Sequence, residues 1–499
     1  MGEHRFRILV AALRGLLTSE ITHTLHPDPD HGTTGQRRAR DVRAMLEGLG
    51  PFYVKVGQIL STRPDIVSDD MITELQKLHD QVAEQPFATL EAVLADEMGP
   101  LWRSHFTDID TTRALGSASL AQVHAATLAD GQPVVIKIQR PGIRPIVHAD
   151  MALLRRAAKL FAKIATEFNA VIDVESMLER LFDAMSTELD FTLEAQNMER
   201  ARAEVTTFKH LDIPEVLLAT PRVMIQSRAP GCSIRDANPT TFTAGERTAI
   251  GRDLLAYMYQ SYFTTGFFHA DPHPGNIFVH PGEKAHLIDW GMVGRVDRGT
   301  RIALLLILVN IAMNDGKGLA RAWIALGRAT AGADVPTFDD DMQALVTRIA
   351  DSTLEELNFG VTLTTLLIKA TKRGIRTSPA VSVLGKSFGN IEGSIRYLAP
   401  ELSLTDTFRD VLRDIMLDLL DDTLSEQQAA RTTLEILTAG SAAIQSAHTI
   451  LNNIVNGEIA INISQKSRLE IGTKRRRTYL FAAIAIYLWN KKQRTKGNR

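Results

Sequence analysis

Residues 269–291, HADPHPGNIFVHPGEKAHLIDWG, are the stretch that decides the fold. An acid, Asp271, and an amide, Asn276, are followed by a short apolar strand, a Pro-Gly turn, a second strand and another acid, Asp289, at a Trp-Gly turn. This order is that of a protein-kinase catalytic loop and its metal-binding turn. Phosphoryl transfer needs one carboxylate that orients or accepts the nucleophile's proton, and hard oxygen ligands that hold Mg²⁺ across the phosphates. We predict that Asp271 has the first role and that Asn276 and Asp289 have the second.

A kinase-like site also needs a lysine on the third strand of an upstream sheet, and Lys137 stands in the apolar run VVIKI, residues 134–138. The run belongs to a hairpin predicted by two alternating segments that meet at Asp130-Gly131. Because an unpaired buried ammonium is unfavourable, Lys137 requires phosphates and a carboxylate as partners. We predict Glu194, on the next long helix, as that carboxylate, with Glu188 and Asp190 one to two turns earlier.

The segment before the hairpin, LGSASLAQVH at residues 115–124, has small residues where a loop covering the phosphates would lie. Ser117, Ala118 and Ser119 are therefore candidate nucleotide contacts. Ser and Ala replace the glycines of the usual pattern, so this segment alone is weaker evidence than a GxGxxG motif.

The composition is that of a large globular protein with no global charge. The 499 residues are 44% hydrophobic and 23% charged, which excludes collagen-like, disordered and disulfide-rich classes. Lysine and arginine number 56 against 58 acids, giving a net charge of −2, so we expect no nucleic-acid partner. The single cysteine, Cys232, excludes an intramolecular disulfide and a cysteine-built metal site, and favours a reducing compartment.

Composition and periodicity divide the chain into five segments. The opening residues have the pattern of an amphipathic helix, and Pro, Gly and Asp predict a linker before residue 37. After about residue 300 the helical period dominates. The predicted segments are 1–36, an amphipathic helix and linker; 37–111, a helical extension interrupted at 50–66; 112–235, a sheet-containing lobe; 236–460, a mainly helical lobe with a helical extension; and 461–499, a basic-flanked C-terminal segment.

Six motifs together resemble the UbiB family of atypical protein-kinase-like proteins, which includes AarF and the mitochondrial coenzyme Q kinases. They are KVGQ (55–58), SASLAQVH (117–124), VVIKIQRPGI (134–143), ELDFTLEA (188–195), HADPHPGN (269–276) and IDWG (288–291). The resemblance spans roughly residues 40 to 300. It implies an α+β, bilobal, protein-kinase-like fold with family-specific N-terminal helices, binding of ATP with Mg²⁺, and a role in isoprenoid quinone biosynthesis or lipid homeostasis.

The resemblance also implies roles for individual residues. Lys55 and Gln58 match the family's KxGQ element, which folds over the nucleotide site, and Glu188 with Asp190 match its ExD element. These two elements are thought to occlude the groove in which a peptide substrate would lie. By the same match Lys137 pairs with Glu194, Asp271 is the catalytic acid, and Asn276 and Asp289 hold the metal.

The chain departs from the family and from ordinary kinases at several positions. Trp290 stands where most relatives have Phe, and Ser227 stands near the hinge position that is usually Glu. Ala270 replaces the Arg that would contact a phosphorylated activation loop, and a helix follows Gly291 within about ten residues. These features predict a small-molecule acceptor, a lipid-like headgroup or ATP hydrolysis rather than a protein substrate.

The C-terminal segment predicts contact with a membrane surface. KRRR at 474–477 precedes TYLFAAIAIYLW at 478–489, which KKQR follows. Twelve residues of helix reach about 18 Å, well short of the roughly 30 Å hydrocarbon core, so an interfacial helix or a single short anchor is favoured. A helix packed on the body is the alternative. The expected location is the cytoplasmic face of the membrane, with anionic lipid and quinone-biosynthesis enzymes as candidate partners.

Two other functions fit parts of the sequence. His269, Asp271 and His273 are spaced two apart and could ligate Zn²⁺ in a metallohydrolase, but that leaves Lys137 and its hairpin unexplained. The chain could also be a regulatory scaffold for membrane quinone-synthesis enzymes that binds nucleotide with little catalysis.

Overall fold

The computed structural model describes residues 34–415, except 62–66, 76, 79–82, 165–173, 352–358 and the single positions 405, 409, 413 and 414. Helices alternate with small sheets along this part of the chain. The helices are α1 (Thr34–Leu49), α2 (Pro51–Leu60), α3 (Asp69–Leu75), α4 (Phe87–Met98), α5 (Ile143–Ile164), α6 (Val174–Leu189), α7 (Phe191–Val205), α8 (Ala244–Gln260), α9 (Arg298–Ala312), α10 (Gly316–Ala325), α11 (Val335–Asp351), α12 (Phe359–Lys372) and α13 (Pro379–Leu398).

The strands form one larger sheet and three smaller ones in the described residues. They are β1 (Phe106–Ile109), β2 (Gly116–Ser117), β3 (Ala121–Leu128), β4 (Pro133–Gln139), β5 (Leu211–Asp212), β6 (Val216–Ala219), β7 (Val223–Ser227), β8 (Cys232–Ser233), β9 (Phe267–His269), β10 (Ile277–Val279), β11 (Ala285–Leu287), β12 (Val293–Arg295), β13 (Gly327–Ala329) and β14 (Ile375–Thr377). The six-stranded sheet has the order β1-β3-β4-β7-β6, with β2 paired to β3; the others are β5-β11-β10-β8, β12-β9 and β13-β14.

The six-stranded sheet is the core of the smaller lobe. Its central hairpin, β3-β4, turns at Gly131, whose φ of 90° is a conformation that glycine adopts without strain. One face of the sheet packs on α4, where Val134, Ile136 and Ile138 are fully buried. Residues on the opposite face of β4, including Lys137, point toward the second lobe because side chains alternate along a strand.

The sheet begins earlier in the chain than the sequence indicates. β1 lies within the segment 37–111, before the boundary predicted at residue 112, and pairs with β3 from Phe106↔Leu128 to Ile109↔Ala126. Its four residues are half-buried or exposed, so no alternating pattern marks them. Lys137 therefore lies on the fourth strand in chain order and not on the third.

The larger lobe is mainly helical and shares one core. Buried side chains of α8 to α13 pack together, including Tyr259, Trp323 and Phe388. Two short strands, β13 and β14, pair within this lobe, where the sequence predicts only helices. Each has three residues, which is too short for a strand period to appear in the sequence.

The N-terminal helices form a third packed unit against α5 and α6. Leu46, Phe52, Leu75, Val147 and Met185 belong to this cluster. The predicted interruption at 50–66 is wrong for its first half, because α2 is a regular helix over Pro51–Leu60. A break at Gly50, whose φ is 102°, separates α1 from α2, and residues 62–66 of the predicted interruption lie outside the described residues.

The predicted opening helix and linker (1–36) lies outside the described residues up to position 33, and the predicted membrane-associating segment (461–499) lies wholly outside them. Among the helices of the described part, none is long and apolar enough to cross a membrane.

Candidate active site

The loop at 269–276 and the turn at 289–291 meet through the β10-β11 hairpin. Ile277 lies opposite Leu287 in the ladder, and the Ile288 N–H donates to the Asn276 carbonyl at 2.9 Å. This pairing brings Asn276 and Asp289, thirteen positions apart in the chain, to the same end of the hairpin. Asp289 has a φ of 61°, one of two non-glycine residues with positive φ in the described chain. Aspartate tolerates this left-handed conformation, which turns the backbone sharply after β11.

Trp290 is buried beneath this turn. Its indole stacks on Phe267 at 5.9 Å between ring centroids and donates from Nε1 to the Leu287 carbonyl at 3.1 Å. Asn197 of α7 donates to the Trp290 carbonyl at 3.1 Å, which ties the turn to the helix that carries Glu194. The larger ring therefore fills the core below Asp289 and leaves the Asp289 carboxylate accessible.

Lys137 bridges two carboxylates. Its Nζ lies 2.7 and 2.9 Å from the two oxygens of Glu194 and 3.4 Å from Oδ1 of Asp289. The Glu194 side chain is 2% exposed, whereas that of Asp289 is 52% exposed. The predicted Lys137–Glu194 pair is therefore formed, and it points its lysine at the turn that carries Asp289.

These contacts shift the proton affinities of all three groups. Burial disfavours the Lys137 charge, but attraction by Glu194, Asp289 and Glu188 outweighs it and raises the pKa of Lys137. The Lys137 charge, against the effect of burial and together with Lys55, holds the pKa of Asp289 well below its usual range. Burial raises the pKa of Glu194 to about 7, a rise that Lys137 limits.

Asp271 is held by a helix that sequence reasoning did not connect to the site. Lys386 of α13 lies 3.0 Å from its Oδ2, and Asn390 donates to its Oδ1 at 2.6 Å. Burial disfavours the carboxylate charge, yet Lys386, His273 and Lys55 lower the pKa of Asp271. Asn276 donates from its side-chain amide to the Asp271 backbone carbonyl at 3.1 Å, so loop and helix together fix the acid.

Two further side chains of α13 donate hydrogen bonds to the same loop. Ser387 donates to the His269 carbonyl at 2.6 Å, and Ser394 donates to the Pro272 carbonyl at 2.9 Å. Positions 386, 390 and 394 are four apart and so lie on one helix face. A polar residue at each of these positions in an apolar helix is the sequence signal that could have identified this face.

The loop predicted to cover the phosphates is fixed by a buried arginine. Arg140, just after β4, donates to the Ala118 carbonyl at 2.9 Å, to the Ser117 hydroxyl at 2.7 Å and to the Ala83 carbonyl at 3.0 Å. Ser117, Ala118 and Ser119 all line the cavity between the lobes. Arg140 is the structural residue of this loop that sequence reasoning missed.

One residue of the KxGQ element contacts one residue of the ExD element, whereas the other residue of each element has a different partner. Lys55 of α2 forms an ion pair with Glu188 at the end of α6, and both line the cavity. Gln58 also lines the cavity, but its amide donates to the Leu78 carbonyl at 3.2 Å. Asp190 caps α7 by accepting from Thr192 N at 3.0 Å, and it is not among the residues that line the cavity.

The imidazole rings of His269 and His273 contact backbone groups. His269 is fully buried, accepts from Asp271 N at Nδ1 (3.1 Å) and contacts the Ile288 carbonyl through Nε2 (3.0 Å), while burial lowers its pKa. His273 accepts from Gly275 N at Nδ1 (2.9 Å). The described residues contain no group of three or more His, Cys, Asp or Glu arranged to hold a metal ion. A zinc site built from His269, Asp271 and His273 is therefore not formed in this arrangement.

These groups surround one large cavity between the lobes. Its volume is about 1510 Å³, which is larger than that of most sites for small molecules and cofactors. The residues that line it include Lys137, Glu194, Asp271, Asn276 and Asp289. Helices α12 and α13 line another wall, with residues such as Val361, Leu367, Val381 and Gly385.

Comparisons with known proteins agree with this geometry. Residues 77–323 match the family described as the ABC1 atypical kinase-like domain. The chain is 32% identical over 383 residues to "Probable protein kinase UbiB" of Azotobacter vinelandii, covering 74% of this chain and 70% of that protein. It is 32% identical over 362 residues to "Uncharacterized protein slr0889" of Synechocystis, covering 70% and 88%.

A solved structure shares the fold. Rv3197 of Mycobacterium tuberculosis, in its complex with erythromycin, aligns with a TM-score of 0.52 and 22% identity over 79% of this chain and 98% of that one. The predicted α+β, bilobal, kinase-like fold is confirmed. Together with the resemblance expected from the motifs, the matches assign this chain to the ABC1 atypical kinase-like family, in which its relatives include probable protein kinases of the UbiB type.

Proposed function

We propose that this protein is an ATP- and Mg²⁺-dependent atypical kinase or ATPase of the UbiB type. The observation that carries the proposal is the position of Lys137, which bonds buried Glu194 and lies 3.4 Å from Asp289 in the cavity that Asp271 also lines. A lysine fixed by a helical carboxylate beside a metal-binding acid is the arrangement that phosphoryl-transfer sites use to bind phosphates.

The oxygen donors at the turn suit Mg²⁺. Asn276 uses its amide nitrogen on the Asp271 carbonyl, which leaves its amide oxygen for a cation, and the Asp289 carboxylate is half exposed. Mg²⁺ in such sites takes one or two protein ligands and completes its shell with water and phosphate oxygens. Asn276 and Asp289 would hold the ion, which neutralises phosphate charge when bound.

The remaining residues bind and orient the nucleotide. Lys137 binds phosphate oxygens, with Glu194 fixing its ammonium. Ser117, Ala118 and Ser119 cover the phosphates, and Lys55, Gln58 and Glu188 close the cavity from the side of α2. Asp190 contributes indirectly, because its cap fixes the start of the helix that carries Glu194.

The acceptor is a small molecule or water. What supports this is the short path from Gly291 through β12 to α9 at Arg298, which leaves no long activation segment for a protein substrate. The resemblance to the UbiB family, to which the matched relatives add proteins named as probable UbiB kinases, favours a role in isoprenoid quinone biosynthesis or lipid homeostasis. We propose action at the cytoplasmic face of the membrane, with anionic lipid and quinone-synthesis enzymes as partners of the C-terminal segment.

The test is ATP turnover by the purified full-length protein with Mg²⁺, with and without anionic lipid vesicles. The variant Asp271→Asn should bind ATP and lose turnover by a factor of about 10² to 10⁴, the range for general acid-base groups. The control Asp130→Asn changes an exposed turn carboxylate and should leave turnover unchanged. ATP binding by the wild type without turnover would favour the regulatory scaffold instead.

A further inference from the structure

In the described part of the chain, one helix of the larger lobe, α13, bonds both carboxylate oxygens of Asp271. Lys386 and Asn390 bond its two oxygens at 3.0 and 2.6 Å. Both side chains line the cavity, as Asp271 does. The helix therefore brings a cation to the atoms at which an acceptor's proton would be received.

The catalytic loop itself supplies no cation. Residues 269–276, HADPHPGN, contain neither lysine nor arginine. Two other lysines line the cavity in the described part of the chain, and each already faces acids of its own: Lys55 pairs with Glu188, and Lys137 with Glu194 and Asp289. Positive charge fixed beside the transferring group is a recurrent requirement of phosphoryl transfer. Lys386 is the lysine that lies at the acid itself.

The loop is anchored without Lys386. Ser387 and Ser394 donate to the carbonyls of His269 and Pro272 from the same helix. The Lys386 and Asp271 side chains are 26% and 24% exposed, so solvent partly screens the pair, and Asn390 still bonds Asp271 when Lys386 is removed. A purely structural role for Lys386 is therefore a weak one.

We propose that Lys386 is a further catalytic residue whose ammonium binds the γ-phosphoryl group during transfer, and that Asn390 is a positioning residue for Asp271. The inference rests on the proposed function. The acceptor oxygen bonds to the γ-phosphorus while the bond from that phosphorus to the β-γ bridging oxygen breaks. ADP leaves with the electron pair, and the acceptor's proton passes to Asp271. Lys386 balances the charge on the equatorial phosphoryl oxygens and is unchanged at the end.

The experiment compares the full-length wild type with Lys386→Met, Lys386→Arg and the control Arg396→Met. Arg396 is an exposed cation on the same helix, so its loss removes equal charge away from the cavity. For each protein, kcat and KM for Mg-ATP, the ATP dissociation constant and the thermal midpoint are measured.

Lys386→Met should lower kcat by about 10² to 10³, the loss seen when one fixed donor to a developing charge is removed. Its ATP dissociation constant and thermal midpoint should stay close to those of the wild type. Lys386→Arg should restore most of kcat because it keeps the charge, and Arg396→Met should match the wild type.

Three results would overturn the inference. If the wild type turns over ATP and Lys386→Met keeps its kcat, Lys386 takes no part, although the proposed function stands. If Lys386→Met and Lys386→Arg lose kcat and thermal midpoint in parallel, the role is structural. If the wild type binds Mg-ATP without turnover, the proposed function and this inference fail together.

Discussion

Two of the lysine–carboxylate pairs in the walls of the cavity, Lys137–Glu194 and Lys386–Asp271, differ in burial. Lys137 contacts both oxygens of Glu194, whose side chain is almost fully buried, whereas Lys386 contacts one oxygen of the partly exposed Asp271. A buried charge depends on its partner far more than an exposed one does. The same chemical pair is therefore expected to contribute more to the stability of the fold at Lys137 than at Lys386.

The largest expected effect is a loss of free energy of unfolding when Lys137 is replaced. Lys137→Met leaves Glu194 buried without its cation and should lower the free energy of unfolding by about 3 kcal/mol at pH 8. Burial already raises the pKa of Glu194 to about 7, and loss of Lys137 removes the group that limits this rise. Because the folded state then binds the proton more readily than the unfolded one, the variant should lose stability as the pH rises from 5 to 8. Urea unfolding at several pH values measures both effects.

The double variant Lys137→Met/Glu194→Leu is the control for that experiment. With both charges absent, most of the lost stability should return and its additional pH dependence should disappear. A single variant as stable at pH 8 as the wild type would remove the distinction between the two pairs.

A middle-sized effect is expected at Gly57, in the helix that carries Lys55 over the Glu188 side of the cavity. A Cβ there would lie 2.3 Å from Leu78 Cδ1 and 2.9 Å from Leu46 Cδ1, both in a packed cluster. Gly57→Ala should therefore cost about 1 to 3 kcal/mol through overpacking, measured by chemical denaturation.

Gly48 provides the matched helical glycine. A Cβ at Gly48 meets nothing within 4 Å, so Gly48→Ala should be neutral or stabilise by up to about 1 kcal/mol. Equal responses at the two positions would show that α2 does not pack closely on its neighbours.

The smallest expected effect is on stability at Lys386. Lys386→Met should change the free energy of unfolding by less than about 1 kcal/mol, because Asp271 is partly exposed and keeps its bond to Asn390. Denaturant unfolding beside Lys137→Met measures the contrast. A loss as large as that of Lys137→Met would mean that both pairs serve the fold.

The two pairs also differ in how far the sequence predicts them. Lys137 and Glu194 each lie in a short motif that allowed their pairing to be predicted, although they are 57 positions apart. The β10-β11 hairpin joins Asn276 to Asp289 locally. Lys386 lies 115 positions from Asp271 in a stretch where the sequence shows only a helical period. The polar residues at 386, 390 and 394 mark one face of that helix, but packing of the larger lobe decides that this face meets the loop at Asp271.

Short strands and helix caps are the other features that could not be predicted from the sequence. β1, β13 and β14 have three or four residues, too few for a period to be recognised. Asp190 is an acid, as a residue facing the phosphates and metal could be. Its position directly before α7 instead makes it the N-cap of that helix. Lys55 and Gln58 were identified by their motif, whereas the ion pair of one and the carbonyl contact of the other required the structure.

The most direct test of the account is the Mg²⁺ dependence of ATP binding, measured by titration calorimetry on the wild type and Asp289→Asn. If Asp289 holds the ion beside the phosphates, Mg²⁺ should tighten ATP binding to the wild type and have little effect on the variant, while ATP without Mg²⁺ still binds both through Lys137. Equal Mg²⁺ dependence in the two proteins, or no ATP binding by the wild type, would contradict the assignment of this cavity to phosphoryl transfer.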